Sequence, residues 1–396
     1  MFAATLVLAL AAQRPVPLAD DPELVAALRA HPGSSAVVEA AATHRAQVLL
    51  ATIGKDAKER LVLERRGFRV DAEYFYPASS IKFLAAIAAL EDLNTRRVKE
   101  PRLTEDTPLV FHPLFAGEVI EDTDPSHLES GKITLRQEIR KLFLVSDNPA
   151  FNRLYEYLGQ DGLARSLGRA GLSSARILHR LSESRTEDEN RRAPRLDFQV
   201  GEREVVTIPE RASKLRITDL KAPGVVVGTA RVEGTRTIAG GMSFARKNAI
   251  TLVELLDAWA RLVEPGLVLD GEPWAITPAQ RDALLAIAAE YPADSRNPRY
   301  PRAEYPDSWG KPLLPGLERV APQSAWRVAN KIGRAYGFTV DVAWVLHVPS
   351  GRGSFVAATV YTNANGVLND GQYEYEALAD PFFAALGEIV GRELAR

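Results

Sequence analysis

The chain has 396 residues, 46% of them hydrophobic, and its 49 basic and 51 acidic side chains leave a net charge of −2. A balance so close to neutral excludes a field that would gather nucleic acid or an anionic membrane surface. The absence of cysteine removes disulfides, thiolate metal sites and a thiol nucleophile together. Six scattered histidines (His31, His44, His112, His127, His179 and His347) show no ligand spacing, so no metal or other cofactor is expected.

An apolar run from Phe2 to Ala12 opens the chain and is too short to span a bilayer. Ala9-Leu10-Ala11 resembles a small-residue cleavage site, which predicts a signal peptide over residues 1–12 and export to the periplasm or medium. A first core helix is the alternative. Residues 21–396 then read as a single domain with no transmembrane segment. From Asp21 to about Ala42 the pattern is helical, with Asp21 as N-cap and Pro22 in the first turn. "AQVLLATIG" and "RLVLERRGF", separated by a polar stretch, suit a hairpin. A buried helix, "FLAAIAALEDL", opens near Ser79. "ITLRQEIRKLFLVSD" places Leu135, Ile139, Leu142 and Phe143 on one helical face. Two further short helices, "NPAFNRLYEYLG" and "DGLARSLGRAGL", each stop at a glycine.

Residues 179–240 break this rhythm with dense charge of both signs and then short strand-like runs, which predicts a solvated insertion at about 183–240. Helical patterns return in "ITLVELLDAWARLVEPG" and "TPAQRDALLAIAAEY", followed by a Pro- and Tyr-rich loop from Pro292 to Pro322. Three strands, "WRVANKIG", "FTVDVAWVLHVP" and "SFVAATVYTN", precede a closing helix. The fold class expected is α/β in the α+β sense. An antiparallel sheet takes strands from both termini, helices flank it, and a mainly helical lobe is inserted at about 80–290.

Three short motifs bear chemistry. In "YPASSIK", helical spacing makes Lys82 face Ser79 and not Ser80. Free backbone N–H groups at a helix start favour negative charge on the Ser79 oxygen. Burial of Lys82 beside Phe83, Leu84 and Ile87 favours its neutral, basic form, and a serine with an adjacent lysine base is a known nucleophile pair. The bland alternative has Ser79 as a helix cap and Lys82 snorkelling. "VSDN" (Ser146 to Asn148) alone reads as a helix stop, and "NKIGRAYG" (Lys331, Ile332, Gly333, Arg334) alone says little.

Together and in this order, the motifs resemble the S-x-x-K, S-D-N and K-T-G signature of class A β-lactamases and penicillin-binding proteins. The resemblance extends over most of the chain and includes Asn152, four residues after Asn148. It implies that Ser79 is the acylated nucleophile and Lys82 the proton acceptor or relay. Ser146 would pass a proton to the leaving group, Asn148 would bond the acyl side chain, and Lys331 would lend positive charge. The oxyanion would rest on the N–H groups of Ser79 and Arg334, with Gly333 completing the third motif.

Two departures stand out. Ile332 occupies the position where the family has a hydroxyl for a substrate carboxylate. The E-x-x-L-N pattern of the deacylating glutamate is absent, leaving Glu183 as the nearest candidate base, with a solvated acid as the alternative. The expected function is a serine hydrolase acting through an acyl-serine on a small-molecule or peptide substrate (a β-lactam, a D-alanyl peptide or an ester). An esterase or peptidase of the same fold is the first alternative, and a non-catalytic binding protein that keeps the fold is the second.

Overall fold

The computed structural model describes residues 18–396, so the expected signal peptide lies outside the described residues. Five antiparallel strands form the main sheet in the order Trp326–Ala335, Phe338–His347, Arg352–Tyr361, Gln47–Lys55, Leu61–Phe68. The N-terminal hairpin joins the C-terminal strands along Gln47↔Thr359 to Ala51↔Phe355. Period-two alternation explains this placement. Val48, Leu50, Val356 and Ala358 belong to one buried layer, and Leu49, Ala51, Phe355 and Ala357 to the other. A slip of one residue would exchange the two sets, so burial on both faces fixes the register.

The first layer packs under Pro22–Ala30 and the closing helix Asp380–Leu394 through Leu24, Phe382, Phe383 and Leu386. Asp21 caps the first helix by accepting from the Leu24 N–H at 2.7 Å. The helical pattern expected through Ala42 is broken in two, Pro22–Ala30 and Ser35–Glu39. Gly33 sits in the break, where a Cβ would come within 2.8 Å of the Pro381 carbonyl oxygen. The second layer is the helical lobe, centred on Lys82–Arg97, where Phe83 meets Trp259 edge-on at 4.9 Å. The two short helices expected around Gly159 form one helix, Asn148–Arg169, kinked where Gly159 adopts φ 65°. Glycine enters that conformation at little cost, so the chain turns and resumes. Among the described residues no helix is long and apolar enough to cross a membrane.

The charged segment leaves and re-enters the lobe at an antiparallel bridge, Arg176↔Ala249, a few residues outside 183–240 on both sides. The Asn248 side chain closes this neck by accepting from Leu178 N–H at 2.7 Å. Within it, Leu196–Gln199 pairs with Val205–Ile208 and with Leu109–Phe111 of the lobe. Ala230–Glu233 pairs in parallel with Val367–Leu368, which follows the last strand of the main sheet. The segment is thus tied both to the lobe and to the chain beyond the main sheet. Nor is all of its charge solvated: the Arg180 side chain is buried, bonded to Glu156 at 2.8 Å and to the Arg192 carbonyl at 3.0 Å.

Candidate active site

The stretch before the buried helix is a tight 3-10 turn, Ala78–Ile81, and the α-helix proper starts at Lys82. Ala78 takes a left-handed φ of 49°, which turns the chain sharply in front of Ser79. The two serines then have different surroundings. Ser80 is fully buried and donates its Oγ–H to the Pro77 carbonyl at 2.7 Å, closing the turn. Ser79 is half-buried and lines two clefts, of about 770 and 850 Å³, that meet at it.

Lys82 is fully buried one turn on. Its Nζ donates to Ser146 O at 2.6 Å, Asp147 O at 3.1 Å and Asn148 Oδ1 at 2.6 Å. Burial, and then the nearby charge of Lys331, push its pKa well below the ordinary lysine value. The three oxygen acceptors stabilise the ammonium form that burial and Lys331 oppose. Ser146 has φ 56°, a second left-handed turn, and its Oγ accepts from Lys331 Nζ at 2.8 Å. Lys331 also donates to Ile332 O at 2.9 Å. Burial pushes Lys331 down to about 7, against the opposing pull of buried Asp341. Asp341 stands across the ladder from Ile332 and itself bonds Asn330 Nδ2 at 2.8 Å.

Lys331 to Arg334 lie on Trp326–Ala335, the sheet's edge strand, which runs against the Ser79 turn. A Cβ on Gly333 would fall 2.4 Å from Ser80 N, 2.5 Å from Pro77 O and 2.7 Å from Ser79 N. Only glycine permits that approach. Ile332 lines the second cleft with Ser146, Trp309 and Pro306, so the Pro- and Tyr-rich loop forms the opposite wall. The Arg334 side chain lies over the Tyr375 ring at 4.8 Å and pairs with Asp380.

Asn148 bridges two groups: Oδ1 accepts from Lys82 and Nδ2 donates to Ser182 Oγ at 2.7 Å. One turn along the same helix, Asn152 clamps the following loop through Leu181 N–H (2.8 Å) and Leu181 O (3.0 Å). Asn152 Nδ2 also reaches Glu183 Oε1 at 2.7 Å, and Arg185 Nε donates to Glu183 Oε2 at 3.2 Å. Among the described residues no hydrogen bond joins Glu183 to Lys82 or Ser79. Sequence reasoning missed Ser182 and Arg180, which shape this wall; neither a serine at φ 57° nor an arginine in a charge run announces itself in one sequence. Of the nine described non-glycine residues at positive φ, five line the two clefts: Ala78, Ser146, Ser182, Tyr336 and Asn369. Such backbone costs of order 1–3 kcal/mol per residue and gathers where function holds it in place.

Comparison with known proteins gives the family and the fold. The model of the beta-lactamase enzyme family matches residues 64–393. The chain belongs to that family, and its fold is the mixed helix and antiparallel-sheet fold of β-lactamases. Similar solved structures include a beta-lactamase from Desulfarculus baarsii, 15% identical with a TM-score of 0.52, covering 95% of this chain and 99% of that one. A class A beta-lactamase from Mycobacterium abscessus is 18% identical, with a TM-score of 0.50 and coverage of 95% and 99%. A beta lactamase from Xanthomonas campestris is 18% identical, with a TM-score of 0.50 and coverage of 89% and 92%. No curated protein matches the chain in sequence. Family membership makes the protein a hydrolase of the β-lactamase-like class.

Proposed function

We propose that this protein is an exported acyl-serine hydrolase in which Ser79 is the nucleophile and Lys82 its base. The observation that carries the reading is that Ser79, where two clefts meet, shares the second cleft with Ser146, to which the buried Lys82 and Lys331 are each bonded from separate segments. In acylation, Ser79 Oγ bonds to the substrate carbonyl carbon while its proton passes to neutral Lys82 Nζ. The developing ammonium is received by Ser146 O, Asp147 O and Asn148 Oδ1. The oxyanion rests on the Ser79 and Arg334 N–H groups. Along a strand a residue's N–H and C=O share one side. The Ile332 carbonyl faces Lys331 Nζ, and Arg334, two residues on, presents its N–H on the same side. Ser146 Oγ–H protonates the leaving group and is replenished by Lys331, whose pKa of about 7 suits proton donation near neutral pH. One proton is taken up at Lys82 and one given through Ser146, so the step balances. Water then releases the acyl group from Ser79.

Two observations favour an esterase or amidase with little β-lactamase turnover. Ile332 brings an apolar side chain to the cleft wall beside Ser146, where a substrate carboxylate would need a hydroxyl donor. Among the described residues no carboxylate is bonded to Lys82 or Ser79 to drive deacylation, and Glu183 is held by Asn152 and Arg185. Glu183 is therefore a loop-ordering acid in this reading, not the deacylating base. The test is stopped-flow release of p-nitrophenol from a neutral short ester. We expect a burst of one equivalent per protein that disappears in Ser79→Ala and persists in Glu183→Gln. A burst unaffected by Ser79→Ala would refute the site, and an acyl-enzyme much longer-lived in Glu183→Gln would return Glu183 to the mechanism.

A further inference from the structure

The first cleft is lined by five cations, and four of them are already neutralised. Arg180 pairs with Glu156, Arg185 with Glu118 and Glu183, Arg246 with Glu187 and Asp219, and Arg334 with Asp380. The fifth, Lys247, has no ion pair, and its ammonium has no hydrogen bond, among the described residues. It is half-buried, and burial alone lowers its pKa with no acidic neighbour to offset it. An unpaired ammonium withdrawn from water is costly, and an arriving anion relieves that cost.

Lys247 is also held in place. Its backbone N–H donates to Phe244 O at 3.0 Å, and buried Phe244 is locked between Tyr76 (5.3 Å) and Tyr336 (5.4 Å), which line the cleft. The next residue is Asn248 of the neck. On the same wall, His179 donates Nδ1–H to Arg180 O at 2.7 Å, so its buried Nε2 is a bare acceptor without a protein partner. Burial pushes that ring down to about 4, so near neutral pH it remains uncharged and does not compete with Lys247 for an anion.

We propose that Lys247 is the recognition site for a carboxylate on the acyl portion of the substrate, so that the enzyme acts on half-esters or half-amides of dicarboxylic acids. This rests on the acyl-serine reading of Ser79 above. It places the substrate's charge in the cleft walled by residues 178–190 and 246–247, across Ser79 from the apolar Ile332 cleft. In that orientation the leaving group is the uncharged half and the acyl group carries the anion.

The test compares kcat/KM for 4-nitrophenyl pentanoate with the mono-4-nitrophenyl esters of succinic, glutaric and adipic acid. Wild type should prefer at least one half-ester, and Lys247→Met should lower that preference by about 10-fold or more, the scale of a charged hydrogen bond. Lys247→Arg should retain most of it. A preference unchanged in Lys247→Met, or absent from wild type, overturns the proposal while leaving the acyl-serine reading intact. If no ester acylates the protein, that reading fails, and calorimetric titration with glutarate and adipate decides the anion site alone. Binding that is lost in Lys247→Met supports it; equal binding in both proteins, or none in wild type, overturns it. Should Lys247→Met fold poorly, as judged by its melting curve, Lys247→Gln takes its place with the same expected results.

Discussion

Lys82 and Lys331 are both buried, and after burial the charge of Lys331 is the second cause that lowers the pKa of Lys82. In the proposed mechanism the neutral form of Lys82 is the base, so acylation rises as pH passes through its lowered pKa. Replacing Lys331 by Met removes one of the two influences that lower that pKa. The pKa of Lys82 then rises, and the ascending limb of the pH profile for kcat/KM should move to higher pH, with a lower plateau from loss of the donor to Ser146. A limb that stays in place or moves to lower pH would show that Lys331 does not act on the base. Ile332 makes a separate prediction. Ile332→Thr replaces an ethyl branch by a hydroxyl and loses apolar volume, but position 332 is a half-buried cleft wall, so the packing cost should be modest, roughly 1 kcal/mol. Acylation by a penicillin, which has a carboxylate on the leaving-group side, should rise about 10–150-fold, the equivalent of one charged hydrogen bond. A neutral ester should barely respond. Equal changes for both substrates would mean that position 332 does not sense the carboxylate.

At the scale of elements, the site depends on how closely the edge strand Trp326–Ala335 approaches the Ser79 turn. Gly333→Ala adds a single methyl group, yet that atom would overlap backbone atoms of Pro77, Ser79 and Ser80, which cannot rotate away as a flexible side chain could. The strand and turn must separate, misplacing the oxyanion donors. A fall in kcat/KM of about 10²–10³, the loss of one such donor, is expected, and circular dichroism should show an intact sheet. Near-normal activity in Gly333→Ala would place the oxyanion elsewhere.

Much at this scale was legible in the sequence. The hairpin, the kink residue Gly159 and the three C-terminal strands all have local causes, in alternation or in backbone freedom. The facing of Ser79 and Lys82 is an expectation from spacing; in the structure the Lys82 backbone N–H bonds Ser79 O across the 3-10 turn, and among the described residues no hydrogen bond joins the two side chains. The strained backbone at Ala78, Ser146 and Ser182 was not legible, because nothing in an alanine or serine specifies a left-handed φ. Tertiary contacts impose it.

Across the whole molecule, the segment between Arg176 and Ala249 was the least legible part, since its charge looks solvated when partners are unknown. Its arginines find those partners far away in sequence: Arg176 bonds Thr218 O at 2.7 Å, and Arg211 bonds Tyr157 O at 2.6 Å. The segment thereby becomes a wall of the first cleft, while the sheet and helical lobe supply Ser79 and line the second cleft. The proposed roles of both lysines and of Ser146 meet in one covalent event at Ser79. The most direct measurement is the intact mass of the protein after incubation with a penicillin, a chromogenic cephalosporin and a short-chain ester, followed by peptide mapping. A single acyl adduct on Ser79 with at least one of the three is expected, absent in Ser79→Ala and largely retained in Ser80→Ala, whose hydroxyl only closes the turn. An unmodified protein with all three, or an adduct that survives Ser79→Ala, would contradict the account.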